Sequence, residues 1–417
     1  MSPGDRSVLG AALFDDVAPQ LDASVLDQLP TPALVIDLDV VRHNLARMVE
    51  LLEGDVDRWR PHLKTTKAPR LWSELFAAGV RNFKCATVDE ARALLRHARA
   101  RGESIDLLVA YPHHGPAVGR IADLAREHGD CTVSVLVESV DDVARWPEPI
   151  GLFVDLNPGQ DRTGLAAGLA SRVLEVARAA GARLRGLHYY DGHHAGNEME
   201  RQSAAHAGYG ELLALTFELR SRGIHVAELV TSGTPSFTAA LGFDGFAALE
   251  STRHRVSPGT VVLHDARSEE QNPALGFRPA ALVATRVVSC PRPGRVTCDA
   301  GSKGVSAEAG SPVAVVIGWP RLVPATPSEE HLPLDASSAA PAELPPRGGV
   351  LWLVPRHVCT TVNLYDEAVL IEGGRVVGLA AIAARGHSIA GAFDRLLGAE
   401  GSPDGGVAPG GERRKRQ

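Results

Sequence analysis

The sequence predicts an α/β chain: a (β/α)8 barrel of the TIM type followed by a β-rich C-terminal domain. Three observations carry that prediction. From Thr31 onward, short β-branched or apolar runs alternate with helix-like stretches. About eight such units follow one another over roughly 210 residues, the count that closes a parallel barrel. After Asp265 the texture changes to strands and turns with little helix. An open doubly wound sheet is the alternative that the same alternation allows.

The eight runs are Ala33 to Asp39, Arg60 to Lys64, Asn82 to Thr87, Ile105 to Tyr111, Thr132 to Glu138, Gly151 to Asn157, Leu184 to Tyr190 and Glu228 to Gly233. Between them lie Ala- and Leu-rich segments with apolar residues three and four apart. ASRVLEVARAAG (Ala170 to Gly181) is one, and it ends on a glycine suited to a helix C-terminus. The second domain takes its strands from Ala280 to Ser289, Val313 to Trp319, Gly349 to Pro355 and Glu367 to Ala383. The Pro- and Ala-rich stretch from Pro324 to Gly349 reads as a loop, and the Gly- and Pro-rich end from Gly401 as a disordered tail. The expected organisation is an arm over 1–29, a barrel over 30–268, a β-domain over 269–397 and a tail over 398–417.

Composition narrows the functions open to the chain. Its 417 residues suffice for about two domains and a sizeable core. The formal net charge is -7. A mildly acidic chain lacks the broad basic field that nucleic acid or anionic membrane selects, so an anionic ligand must be held by locally aimed donors. The five cysteines are odd in number and include no CxxC pair. A reducing cytoplasm is therefore expected rather than a disulfide framework. No run approaches the ~18 apolar residues of a membrane span, and the first residues carry no signal-peptide pattern.

Several residues could carry chemistry. Lys64 ends the second predicted strand, where active sites of parallel barrels sit. Desolvation there would lower its pKa and free the amine for Schiff-base chemistry. An ion-paired lysine is the plainer alternative. Lys67 is the rival, expected past the strand and in solvent. TSGTPS (Thr231 to Ser236) follows the eighth run and precedes a short helix, so Ser232, Gly233 and Thr234 could hold a phosphate; a plain capped turn would look the same. Arg162 could hydrogen-bond a ring phenolate, or simply form a loop salt bridge. His357 and Cys359 are expected at i and i+2 of one strand, on one face, as two zinc ligands with open positions; a satisfied histidine and an inert thiol are the alternative. His188, Tyr189, Tyr190, His193 and His194 cluster at the end of the seventh run, offering a stacking surface and an acid or base near neutrality.

Together the segments TPALVIDLDVVRHNLARM, RPHLKTTK, NFKCATVDEARAL, VDLNPGQDRTGL, GLHYYDGH, SGTPSF, VSPGTVVLHD, VTCDAGSK, SEEH and HVCTTVNLYD resemble the alanine-racemase-like barrels that bind pyridoxal phosphate. Within that group they resemble the D-serine dehydratase and D-threonine aldolase branch, over about residues 30 to 390. The resemblance implies that Lys64 carries the cofactor, Arg162 contacts its phenolate, Tyr190 lies beside its ring, Ser232, Gly233 and Thr234 hold its phosphate, and His357 and Cys359 hold a divalent metal. Zinc suits the soft thiolate, with manganese the alternative. The resemblance also implies a homodimer and small D-amino acid substrates, with no nucleic acid and no membrane. The expected reaction is dehydration of a D-3-hydroxy amino acid, because Cys359 stands where aldolases more often carry aspartate. Retro-aldol cleavage, with His193 or a metal-bound water as base, is the alternative; a racemase or a non-catalytic carrier of the cofactor comes after it. Three positions depart from the pattern: Ser257 where racemases have arginine, Val261 where relatives often have tyrosine, and Thr66 where they carry histidine.

Overall fold

Strands buried on both faces call for near-continuous apolar runs, and such runs build the central sheet of the computed structural model, which describes Phe14 and residues 17–389. In chain order the first strands are β1 (Ala33–Asp37), β2 (Asn82–Cys85), β3 (Asp106–Val109), β4 (Thr132–Val137) and β5 (Gly151–Asn157). They are followed by β6 (Leu165–Ala166), β7 (Leu184–Tyr189), β8 (Glu228–Thr231) and β9 (Arg253–Val256). The parallel order is β2-β3-β4-β5-β7-β8-β9, with β6 extending from β5. Trp59 bridges to Val256 of β9 and His62 bridges to Lys84 of β2. The segment 59–62 thus closes the sheet, and among the described residues it and the seven strands give a barrel of eight staves.

The staves differ from the predicted runs at both ends. ALVIDLD forms β1, but β1 leaves the barrel and pairs with strands of the C-terminal sheet, antiparallel on one side and parallel on the other. Its apolar run is satisfied by burial in either sheet, so pattern alone could not place it. The last stave is β9, RHRV, whose alternating charge hid it. His254 and Val256 are buried, while Arg255 pairs with Asp57 and Glu228.

Alternate residues of each stave face inward and stack in layers. At the floor, the buried Arg60 guanidinium grips Glu228 at 2.7 and 2.8 Å and reaches Asp106 at 3.1 Å. Two residues further along their strands, Leu108, Leu136, Phe153 and Val230 form an apolar layer. Above it, toward the strand C-termini, come Lys84, Asp155 and His188, all buried. Helices on the outside complete the core. Val88–Arg101, for example, starts with a reciprocal Thr87–Glu90 capping box and stops at left-handed Gly102.

The C-terminal strands are β10 (Ala281–Arg292), β11 (Arg295–Cys298), β12 (Ala314–Val316), β13 (Val323–Pro324), β14 (Leu332–Asp335), β15 (Val350–Pro355), β16 (Glu367–Glu372) and β17 (Arg375–Ala381). With β1 they form one sheet ordered β13-β14-β11-β10-β1-β16-β17, with β15 on β10 and β12 on β15. The four predicted runs fall in β10, β12, β15 and the β16–β17 hairpin. β14 arises inside the stretch read as a loop, because Leu332 and Leu334 alternate into the core of this sheet. Barrel and sheet belong to one compact unit that runs to Arg385. The predicted tail and most of the predicted arm lie outside the described residues. Among the described residues no helix is long and apolar enough to cross a membrane.

Candidate active site

RPHLKTTK passes from a stave into a tight turn, closed by a hydrogen bond from Lys67 N to Leu63 O at 3.2 Å. The turn reverses the expectation for its two lysines. Lys64 emerges exposed at the strand end. Lys67, at φ 40°, folds back until it is 6% exposed, its ammonium donating to the Lys64 carbonyl. Burial holds the Lys67 pKa below its ordinary value. Thr66, the departure from the family pattern, accepts a hydrogen bond from Trp72 Nε1 at 3.1 Å. Ser257, another departure, donates to Arg60 O at 2.7 Å, and Val261 is buried. All three are absorbed into packing.

The Tyr190 ring is the meeting point of the site. The Lys64 ammonium lies 5.9 Å from its centroid, Lys84 5.6 Å and the Arg162 guanidinium 4.9 Å. Arg162 is presented by a turn that Asn157 organises: its side-chain oxygen accepts from Gly159 N and Asp161 N at 2.9 and 3.1 Å. Gly233 packs so tightly under the ring that a Cβ there would come 2.6 Å from Tyr190 Cε2.

The turn after β8 has the features a phosphate requires. Ser232 adopts φ 62°, and its buried Oγ has no hydrogen-bond partner. A buried hydroxyl left unpaired is costly and calls for a ligand atom. Gly233 allows the backbone of this turn to approach the Tyr190 ring, where any Cβ would clash. Ser236 donates to Asp191 at 2.7 Å, Tyr209 donates to the same carboxylate at 2.6 Å, and Asn272 holds Thr234 O at 2.8 Å. The loop is thus braced from behind while Ser232 stays free.

His357 and Cys359 do not lie on a strand. β15 ends at Pro355, and His357 caps a short helix, Val358–Val362, that contains Cys359. The side chains still meet, because one turn at a helix start brings i and i+2 together here. Asp265 fixes the turn by accepting from Val358 N at 2.9 Å, and Glu308 binds His357 Nδ1. Cys359 Sγ is 3.0 Å from Thr65 Oγ1 and 3.5 Å from Thr260 Oγ1. Burial pushes the thiol pKa up, but the neighbouring His357 outweighs it and brings the value down to about 7. His357 is held up at about 9: burial opposes this, and the paired Cys359 and Glu308 outweigh it. A thiolate and an imidazole whose far nitrogen is anchored by a carboxylate make a donor set suited to a soft divalent metal. Among the described residues no group of three or more His, Cys, Asp and Glu is arranged to hold an ion, so a metal on this pair would keep open positions.

His193 sits against His194, ring centroids 4.4 Å apart, and its Nδ1 is buried without a partner. Burial, reinforced by His194, lowers its pKa and keeps it neutral near pH 7.

Lys84 and Asp155 escaped the sequence reading. Asp155 accepts from His188 Nδ1 at 2.6 Å and from Thr163 Oγ1 at 2.8 Å, and His188 Nε2 faces Lys84 Nζ at 3.4 Å. The signal was present: each is a charged residue within a short buried strand.

A closed parallel barrel with lysine, arginine and a braced hydroxyl turn at its strand C-termini defines an alanine-racemase-type enzyme architecture. Residues 36–263 match the family model described as alanine racemase, N-terminal domain, and residues 280–371 match the putative serine dehydratase domain. The chain is 30% identical over 382 residues to the D-threonine aldolase of Arthrobacter sp, covering 87% of this chain and 94% of that protein. It therefore belongs to the D-serine dehydratase and D-threonine aldolase family, whose members are pyridoxal-phosphate enzymes. The crystal structure of D-threonine aldolase from Filomicrobium marinum superposes with TM-score 0.74 at 27% identity, over 86% of this chain and 97% of its own. The D-threo-3-hydroxyaspartate dehydratase of Delftia sp. (strain HT23) is 28% identical over 236 residues, 52% of this chain and 58% of that protein. A cysteine-to-alanine mutant of a D-threo-3-hydroxyaspartate dehydratase, solved in the metal-free form, shares the fold with TM-score 0.69 at 23% identity, over 85% of this chain and 98% of its own.

Proposed function

We propose that the chain is a pyridoxal-phosphate- and metal-dependent lyase acting on small D-3-hydroxy amino acids, with dehydration the favoured reaction. The observation that carries this reading is the approach of the His357–Cys359 pair to the Lys64 turn, through the 3.0 Å contact of Cys359 with Thr65. When bound, pyridoxal phosphate supplies an electron sink for charge developing at the substrate Cα, and a divalent metal supplies Lewis acidity toward its β-oxygen. Lys64 carries the cofactor through its amine and, once released, takes the proton from Cα. Arg162 faces the ring oxygen and Tyr190 lies beside the ring. Ser232, Gly233 and Thr234 hold the phosphate; the unpaired Ser232 hydroxyl supports this. His357 and Cys359 hold the metal, with zinc favoured by the thiolate and manganese the alternative. In the retro-aldol reading His193, or a metal-bound water, accepts the proton of the substrate hydroxyl, supported by the partnerless Nδ1 of His193.

The reading includes a barrel domain over 30–268 that lends its first strand, β1, to the C-terminal sheet, a β-domain over 269–397, a homodimer and a cytoplasmic location. Five unpaired cysteines support the last. A racemase would need a second base from the β-domain, where Tyr365 is the available phenol; it donates instead to Gly304 O at 2.7 Å. Retro-aldol cleavage is the second reading, favoured by the match to D-threonine aldolase over 87% of the chain.

Proton NMR of D-threonine incubated with the protein, pyridoxal phosphate and zinc or manganese tests this. 2-Oxobutyrate supports dehydration; glycine with acetaldehyde supports the second reading. No turnover of D-threonine, D-serine or D-3-hydroxyaspartate under any of these conditions contradicts both.

A further inference from the structure

Lys84 is the third residue of β2, a four-residue strand buried throughout. An ammonium in such a place loses its hydration and is retained only where it is paired or used. Its surroundings do not pair it fully. From β7, His188 Nε2 faces it at 3.4 Å, and the Tyr190 ring lies 5.6 Å away. His62 bridges to the same residue from the neighbouring stave. Lys64 and Arg162 converge on the same Tyr190 ring, at 5.9 and 4.9 Å from its centroid. Arg60 below is compensated by Glu228 and Asp106. The carboxylate within this layer is Asp155, already engaged by His188 and Thr163. Because Asp155 accepts from His188 Nδ1, the Nε2 lone pair is left to accept from Lys84. Three cations thus surround one aromatic ring with one shared carboxylate near them.

We propose that Lys84 is a positioning residue for the cofactor: held under the Tyr190 ring by the His188–Asp155–Thr163 chain, its ammonium joins Arg162 in offsetting the negative charge of bound pyridoxal phosphate and lowers the proton affinity of the nitrogen that links it to Lys64. This rests on the reading of Lys64 as the cofactor lysine. An excess of cations within one pocket favours an anionic ligand and disfavours a further proton. Burial, then the nearby Lys64, already pull the Lys84 pKa down to about 7, with Asp155 opposing and Arg60 and Arg162 adding to the shift.

The test is a pH titration of the cofactor absorbance band in the wild-type holoenzyme, Lys84→Met and Lys84→Arg. Removing a unit charge that shares the Tyr190 ring with Lys64, over roughly 6 to 10 Å at an effective dielectric of about 20 to 40, raises the midpoint by roughly half to two pH units in Lys84→Met. Lys84→Arg keeps the charge and stays near the wild-type midpoint. Lys84→Met deletes a buried charge rather than adding one and is expected to fold. If it does not, Lys84→Gln, which keeps a donor for His188 without the charge, must show the same rise. A neutral variant that retains the Lys64-linked cofactor with an unshifted midpoint overturns the proposal while leaving the cofactor assignment intact. A wild-type protein with no cofactor band overturns both.

Discussion

Cys359 Sγ lies 3.0 Å from Thr65 Oγ1, on the residue that follows Lys64 in the chain. The β-rich part and the barrel thus meet at the proposed cofactor lysine within a single chain. The pair and the lysine turn are adjacent in one copy of the chain. The connection runs through Asp265, which caps the helix Ala266–Gln271 and accepts from Val358 N between the two proposed ligands.

If this pair holds the metal, Cys359→Ala keeps the cofactor absorbance band but loses metal-dependent turnover by about 100-fold or more. Chelator treatment of the wild type has the same effect, and added zinc restores the wild type alone. Undiminished turnover in chelator-treated Cys359→Ala removes the metal from the mechanism.

Ser232→Ala separates binding from folding. Its hydroxyl has no protein partner, so the cofactor-free variant is expected to unfold within about 0.5 kcal/mol of wild type. A lost hydrogen bond to a charged phosphate weakens cofactor affinity by about 10-fold or more. Denaturant melts with and without pyridoxal phosphate read both quantities. Equal affinities would show that the unpaired hydroxyl does not face the phosphate.

The barrel floor predicts a stability effect far from the chemistry. Glu228→Ala leaves the fully buried Arg60 without its bidentate partner and is expected to cost about 3–5 kcal/mol. Arg60→Met combined with Glu228→Leu removes both charges and is expected to cost less than Glu228→Ala alone. Urea denaturation of the three proteins checks the order.

Glu74 gives a pH dependence of known sign. Burial pushes its pKa up, but Arg42 and Arg70 outweigh this and hold it below the ordinary glutamate value. A depressed carboxylate contributes stability above its unfolded pKa and loses it as pH falls through the folded one. Stability should therefore decline on acidification below the usual glutamate range. Glu74→Gln should flatten part of that decline, and an unchanged acid limb would remove Glu74 from the account.

Much of this architecture was legible because a parallel sheet writes itself as apolar runs separated by amphipathic helices. Membership of the runs was less legible. β1 is as apolar as any stave, and β9, with two arginines in four residues, satisfies its charges against Asp55, Asp57 and Glu228. The lysine turn was misjudged because spacing along RPHLKTTK does not reveal a backbone reversal, and the reversal at Lys67 buries the lysine that linear reasoning exposed. The HxC spacing predicts a strand, where i and i+2 share a face; the helix start at His357 achieves the same meeting by another geometry. Lys84 and Asp155 stayed hidden because a charged residue in a buried strand gains meaning only once its inward neighbours are known.

The central claim is that Lys64, rather than the buried Lys67 or Lys84, carries the cofactor. Borohydride reduction of the holoenzyme, followed by proteolysis and peptide mass spectrometry, tests it most directly. The account predicts a pyridoxyl group on Lys64 and its loss in Lys64→Ala. A reduced adduct on Lys67 or Lys84 in the wild-type protein, or none on any of the three, would contradict it.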